Sequence, residues 1–239
     1  MRAATLRKPS YFLVFALVGL AATLVGFART FFVPLAAGTF TAPIGVHIHG
    51  AFAFAWVLLF VLQAALVQAR RFQAHRTIGY LGGVVALGVS VTMVPAGLFQ
   101  VDRDLRLGLG GTAYSSMLGI LTSGALFLGL VIAGIVHRRR GAHHKRYLLL
   151  ATIVVLWPAW FRFRHYFPSV PHPEIWFALV LADSLIVIAW AWEYYRYRRI
   201  HPVLLWGGLL IILEQSLEVY LFDSPVWRQL GTIVYGLFT

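Results

Sequence analysis

The sequence predicts an all-α fold: an integral membrane bundle of about seven transmembrane helices. Of the 239 residues, 60% are hydrophobic, and the mean hydropathy is +0.79. Only 12% are charged, which is too few to cover the surface of a soluble domain of this length. Apolar runs recur at about the 20 residues that cross a hydrocarbon core roughly 30 Å thick. We expect one transmembrane domain over residues 1–239.

The first predicted helix covers residues 11–28 and follows the basic residues Arg2, Arg7 and Lys8, as a secretory signal peptide would. Its apolar stretch is long, and no convincing cleavage site precedes the next helix, so we interpret it as a membrane anchor. The second, third and fourth runs are long enough to cross the bilayer. They cover residues 46–69, 78–100 and 112–136.

The last three runs are less uniform. The fifth is short and contains Pro158, which predicts a kink near its end. The sixth carries Asp183 near its middle, and the seventh begins at His201-Pro202, where proline suits the first helical turn. A largely apolar tail follows and is able to lie flat at the membrane interface. These elements cover residues 146–163, 174–194 and 201–222, with the tail over residues 224–239.

The loop charges predict the orientation. The net charge is +12, and fourteen of the 20 lysines and arginines lie before the first, third, fifth and seventh helices. The positive-inside rule then puts the N-terminus in the cytoplasm and the C-terminus outside. Because these charges lie in short loops between apolar runs, anionic headgroups explain them better than nucleic acid does. We expect a multi-pass protein of the bacterial inner (cytoplasmic) membrane, with the lipid bilayer as its main partner and no nucleic acid.

One predicted polar cluster lies toward the outside. Asp183 and Glu214 fall within apolar runs, where a charge costs several kcal/mol and normally has a partner in the bundle. Arg162 or a histidine is the available partner, and these three residues are our candidates for proton handling or for binding an anionic group. The alternative is a structural ion pair or a hydrogen-bonded protonated acid. His47 and His49 open the second helix about 200° apart, so one helix cannot direct both at a single ion.

A second predicted cluster lies at the cytoplasmic face. Histidines stand at the starts of the third, fifth and seventh helices, and Glu193 ends the sixth. Imidazoles with a carboxylate suit iron, zinc or copper, and two imidazoles from different helices suit haem b. Contact with lipid headgroups is the alternative for these residues. The candidate haem ligands are His49, His75, His144 and His201; the candidate metal ligands are His47, His49, His75, His144, Glu193 and His201.

Several motifs resemble a family of uncharacterised bacterial polytopic membrane proteins, of the domain-of-unknown-function type. They are His47-Ile48-His49, His75-Arg76 with Gly79, His144-Lys145-Arg146, Pro158-Ala159 with Arg162, and His201-Pro202. The resemblance covers helices two to seven and favours His49, His75, His144, Arg162 and His201 as functional residues. Glu193 stands where the family usually has aspartate, and the last helix is more acidic here, at Glu214 and Glu218. The family has no settled activity, so the resemblance implies no reaction.

Three functions follow from these patterns. The leading hypothesis is a membrane-embedded protein with a histidine-based metal or haem site, an oxidoreductase or electron-transfer protein whose substrate or quinone comes from the lipid phase. The first alternative is a transporter of protons or a small solute that uses the intramembrane acids and Arg162. The second alternative is an accessory subunit of a larger membrane complex or an oligomer.

Overall fold

The computed structural model describes residues 10–239 and confirms the all-α fold with seven helices able to span a membrane. The described part is 85% helix and contains no strand. Arg2, Arg7 and Lys8 lie outside the described residues. The spans are α1 (Tyr11–Ala36), α2 (Ile44–Gln68), α3 (Phe72–Arg106), α4 (Gly110–Val136), α5 (Gly141–His165), α6 (Glu174–Tyr197) and α7 (Pro202–Leu221), and a short helix α8 (Pro225–Gly236) follows.

The spans define two ends of the bundle. We call the end where α1, α3, α5 and α7 begin the N-terminal face, and the end where they finish the C-terminal face. The sequence predicts that the N-terminal face is cytoplasmic. Each candidate residue below is located by the face nearer to it.

Helix α5 forms the centre of the bundle. It is the most buried span and packs against α1, α2, α4, α6 and α7. Its core side chains include Leu150 and Leu156, which are almost completely buried. At Gly26, α1 comes so close that a Cβ atom would collide with the Ala159 carbonyl of α5. This close packing makes α1 part of the bundle.

Several helices extend beyond the apolar runs that predict them. Helix α1 continues past residue 28 through a π-helical turn, Ala28–Phe32, and a short α-helical turn, Val33–Ala36. Helix α3 is 35 residues long because its charged ends continue the backbone hydrogen bonding of the apolar run. Hydropathy marks the stretch that suits lipid, and polar residues beyond that stretch still form helix. Pro158 lies inside the α-helical part of α5, shortly before a 3-10 turn, Arg162–His165.

The tail forms α8 and packs against the end of α3 and the start of α4 at the C-terminal face. Ser224 caps this helix, the Trp227 indole donates to the Ser115 carbonyl (2.9 Å), and Tyr235 donates to the Asp102 carboxylate. The hydrogen bond with Asp102 raises the pKa of Tyr235. These contacts tie the tail to α3 and to the start of α4.

Candidate functional site

Glu193 lies at the centre of a buried polar cluster at the N-terminal face, where three other residues donate to its carboxylate. Its side chain is 1% exposed and pairs with Arg146 of α5, whose Nε and Nη2 atoms lie 2.7 and 2.5 Å from Oε1. The Tyr11 hydroxyl also donates to Oε1 (3.0 Å), and the His201 backbone N–H donates to Oε2 (2.9 Å). The carboxylate thus joins α1, α5, α6 and the start of α7. Both of its oxygens already accept protein donors, so the residue predicted as a metal ligand acts here as a structural ion-pair partner.

His201 caps α7 in this cluster. Its Nδ1 atom accepts from the Val203 N–H (3.2 Å), and its ring makes an edge-on contact with His143 at a centroid distance of 4.8 Å. Burial lowers the pKa of the His201 imidazole, and the positive charge of Arg146 and the nearby His143 lower it further. The neutral imidazole therefore suits both the cap and its surroundings.

His75 and His144 form a second contact between helix starts at the N-terminal face. Their ring centroids are 6.3 Å apart, and the rings are nearly perpendicular. The Nδ1 atom of His144 lies 2.8 Å from the Gly134 carbonyl oxygen. The Gln63 amide nitrogen donates to Nδ1 of His75, while the amide oxygen accepts from the Gly79 N–H (3.1 Å). This chain of contacts joins α2, α3, α4 and α5. Because Nδ1 of His75 accepts, the neutral His75 ring carries its proton on Nε2, whereas Nε2 of His144 is free of these bonds.

The other two candidate histidines lie at the opposite end of the bundle. The Nδ1 atom of His49 lies 3.1 Å from the Thr92 hydroxyl, and His47 packs against the rings of Phe31 and Phe40. Among residues 10–239, no three His, Asp or Glu side chains are arranged to hold one metal ion. The six candidate metal ligands therefore do not assemble into one centre: His47 and His49 are at the C-terminal face, Glu193 is occupied, and the other histidines form separate contacts.

The acid cluster consists of Asp183 of α6 and of Glu214 and Glu218 of α7. Asp183 is 6% exposed, and neither of its oxygens has a hydrogen-bond partner. Glu214 accepts from the Ser123 hydroxyl (3.1 Å) through one oxygen, and its other oxygen is buried without a partner. Glu214 lies close enough to interact electrostatically with both other acids.

Polar and tightly packed groups surround the acid cluster. Gln215, next to Glu214, is 1% exposed, and both of its amide atoms lack a partner. The Glu218 carboxyl group fills the space over Gly119 of α4, where a Cβ atom would collide with it. No ion pair to these acids occurs in the described part of the chain. The cluster therefore consists of one buried acid, Asp183, and two half-buried acids, and none of them has a counter-charge among residues 10–239.

Arg162 does not pair with the acid cluster, although the sequence suggests that it would. Its Nε atom donates to the Thr30 hydroxyl (3.2 Å), its Nη1 atom donates to the Pro158 carbonyl (2.8 Å), and its guanidinium lies over the Phe27 ring. The packing of α1 against α5 brings the side chains of α1 to this arginine. The candidate trio Asp183, Glu214 and Arg162 thus separates into an acid group and a basic group.

Sequence reasoning assigns no site role to the two residues that complete the Glu193 cluster, Arg146 and Tyr11. Both stand where an apolar run begins, a position that headgroup contact explains equally well. The sequence feature that could have identified them is that each is a polar residue at the start of a helix, near the predicted depth of Glu193. No family model matches the chain, and no curated protein and no solved structure is similar to it.

Proposed function

We propose that this protein is a membrane transport protein that binds and moves protons, with Asp183, Glu214 and Glu218 as its proton-binding groups. The observation that carries this proposal is the burial of Asp183 within a membrane span with neither oxygen partnered. Ionisable residues inside membrane spans commonly belong to proton or ion pathways.

The acids lie close together and have no cation beside them within the described residues, which supports protons as the bound species. An ionised carboxylate without a cation is very costly in a low-dielectric interior, so such a group takes up a proton instead. Adjacent acids also cannot all be ionised without strong repulsion. Because no three of the described acids and histidines are arranged around one metal ion, a proton fits this cluster better than a metal.

A second ionisable group on the same helix, Glu193 in its ion pair with Arg146, lies nearer the N-terminal face. Glu193 follows Asp183 by ten residues on α6, which corresponds to about 15 Å along the helix axis. The Tyr11 hydroxyl donates to Glu193, and His201 contacts it through its backbone N–H. Ionisable groups thus occur at two depths of the bundle, one near each half of α6.

Infrared difference spectroscopy tests whether Asp183 holds a proton. Spectra of the purified protein recorded between acidic and alkaline pH are expected to show the C=O stretch of a buried protonated acid. Asp183→Asn should remove one component of that band, while Glu174→Gln, at an exposed position on the same helix, should leave it unchanged. An identical band in both variants would contradict the assignment.

Proton flux tests the function itself. Proteoliposomes that enclose a pH-sensitive dye should acidify under an imposed membrane potential when they contain the wild-type protein. Asp183→Asn should abolish this flux, and Glu174→Gln should retain it. Wild-type protein that gives no more flux than empty liposomes would refute proton transport.

A haem or metal site at the N-terminal face is a second candidate, favoured by His144, whose ring lies beside that of His75. Ligand imidazoles typically donate Nδ1–H to a carbonyl and bind the metal through Nε2, and His144 faces the Gly134 carbonyl in this way. Such a site would take haem b, iron, zinc or copper. Haem b, iron or copper would exchange electrons with a lipid-phase quinone, whereas zinc is redox-inactive and would not. We expect a Soret band or bound metal that His144→Ala loses and His137→Ala keeps. A colourless wild-type protein without metal would exclude this candidate.

A further inference from the structure

Three arginines without acidic partners lie within electrostatic range of His165 at the C-terminal face, and we call Arg29, Arg162 and Arg164 the arginine cluster. Arg29 comes from α1, and the other two come from the end of α5. Arg29 donates to the His165 carbonyl (2.6 Å), which joins the two helices. Arg103 of α3 lies within electrostatic range of both Arg162 and Arg164.

Aromatic rings orient each guanidinium of the arginine cluster. The Arg162 guanidinium lies 4.1 Å from the Phe27 ring centroid, and Arg164 lies 3.7 Å from that of Phe161. Arg29 lies 5.0 Å from the Tyr166 ring centroid. Stacking fixes the plane of a guanidinium, so less conformational freedom is lost when it binds a ligand.

The cluster has more donors than the protein uses. A guanidinium carries five N–H donors. Arg162 directs two of its nitrogens at protein oxygens, and Arg29 and Arg164 direct one each. None of the three forms an ion pair with an acid among residues 10–239, and residues 1–9 contain no Asp or Glu.

Like charges held together in this way repel one another, and a bound anion would remove that cost. Arg103 is mostly compensated, because it pairs with the adjacent Asp104 at 2.8 Å. The uncompensated charge therefore lies on the arginine cluster itself, with Arg162 half-buried and Arg29 open to the surroundings.

We infer that the arginine cluster is an anion-binding site that takes a phosphate group. Planar N–H pairs match the oxygens of phosphate through paired, charge-assisted hydrogen bonds. The phosphate can belong to a phospholipid headgroup, because the cluster lies where α1 and α5 end, or to a small soluble anion. This site is separate from the acid cluster and does not depend on proton transport.

Two measurements on the purified full-length protein distinguish the two phosphate sources. The first titrates the protein with inorganic phosphate and measures the rise in its unfolding temperature, which reports binding of the free anion. A titration with chloride at equal ionic strength is the reference. Native mass spectrometry measures the phospholipid retained after purification. The variants are Arg162→Gln, Arg164→Gln and Arg29→Gln, and the control is Arg106→Gln, which removes an equal charge from the same face outside the cluster.

We expect each cluster variant to weaken phosphate binding or phospholipid retention by about tenfold or more, since one charge-assisted contact is lost. Arg106→Gln should leave both unchanged. If Arg162→Gln does not fold, the exposed Arg29 and the half-buried Arg164 provide the test. The inference is overturned if wild-type protein shows neither phosphate binding nor retained phospholipid, or if Arg106→Gln lowers them as much as the cluster variants do.

Discussion

Replacing Glu193 with alanine should strongly destabilise the bundle. The substitution removes the acceptor for Arg146, for the Tyr11 hydroxyl and for the His201 N–H. Arg146 is 6% exposed and would keep only its hydrogen bond to the Ala142 carbonyl (2.6 Å). Removing one partner of a buried ion pair costs about 3–5 kcal/mol, because the remaining charge is left buried and unpaired.

The free energy of unfolding can be measured on protein purified in a mild detergent, by titrating in a denaturing detergent. We expect a loss of about 3–5 kcal/mol for Glu193→Ala. Glu193→Gln, which keeps a hydrogen-bond acceptor, should lose about 1.5–3 kcal/mol. Glu174→Ala is the control, since the side chain of this acid is 46% exposed and its ion pair is with the exposed His172, and it should change stability by no more than about 0.5 kcal/mol.

A double-mutant cycle isolates the ion pair. Once Glu193 is absent, removing Arg146 takes away an unpaired buried charge, so the double variant should lose less than the sum of the two single variants by about 0.5–3 kcal/mol. Our reasoning is refuted if Glu193→Ala is no more destabilising than Glu174→Ala. It is also refuted if the losses of the two single variants simply add.

Three further outcomes follow from the structure. Gly119→Ala should destabilise the fold by about 1–3 kcal/mol in the same assay, because its Cβ collides with Glu218, whereas Gly129→Ala, with no atom nearby, should cost nothing. Stability should fall as the pH drops below about 6.5, since the unfolded chain protonates His201 before the folded one does, and His201→Asn should reduce that slope. Tyr235→Phe should speed hydrogen exchange in α8, because its bond to Asp102 is lost, and unchanged exchange would contradict this.

The sequence predicts how deep in the bundle a residue lies better than it predicts which residues contact it. Asp183 stands in an apolar run, so its burial in the bundle follows from the cost of exposing a charge to lipid. The pairing of Arg146 with Glu193 joins residues 47 positions apart on different helices. Hydropathy does not say which helices are adjacent, so this pair could not be assigned.

Arg162 and the histidines show the same limit. Arg162 has a suitable depth to meet the acids, yet α1 lies against that end of α5 and supplies Thr30 and Phe27 instead. His144 and His143 are consecutive in the chain, yet one contacts His75 and the other contacts His201, because successive helical residues point about 100° apart. Matching depth therefore indicates a layer of the bundle, and the direction of each side chain decides its partner.

The central helix α5 is fixed at both ends by arginines. Arg146 is held by Glu193 of α6 at one face, and Arg162 donates to Thr30 of α1 at the other. Arg162 follows Arg146 by sixteen positions, which corresponds to about 24 Å of helix. In a bilayer thicker than this distance, tilting α5 would only shorten its span, and sliding it would break one of the two contacts. The lipid around it, or the outer helices, must then absorb the hydrophobic mismatch.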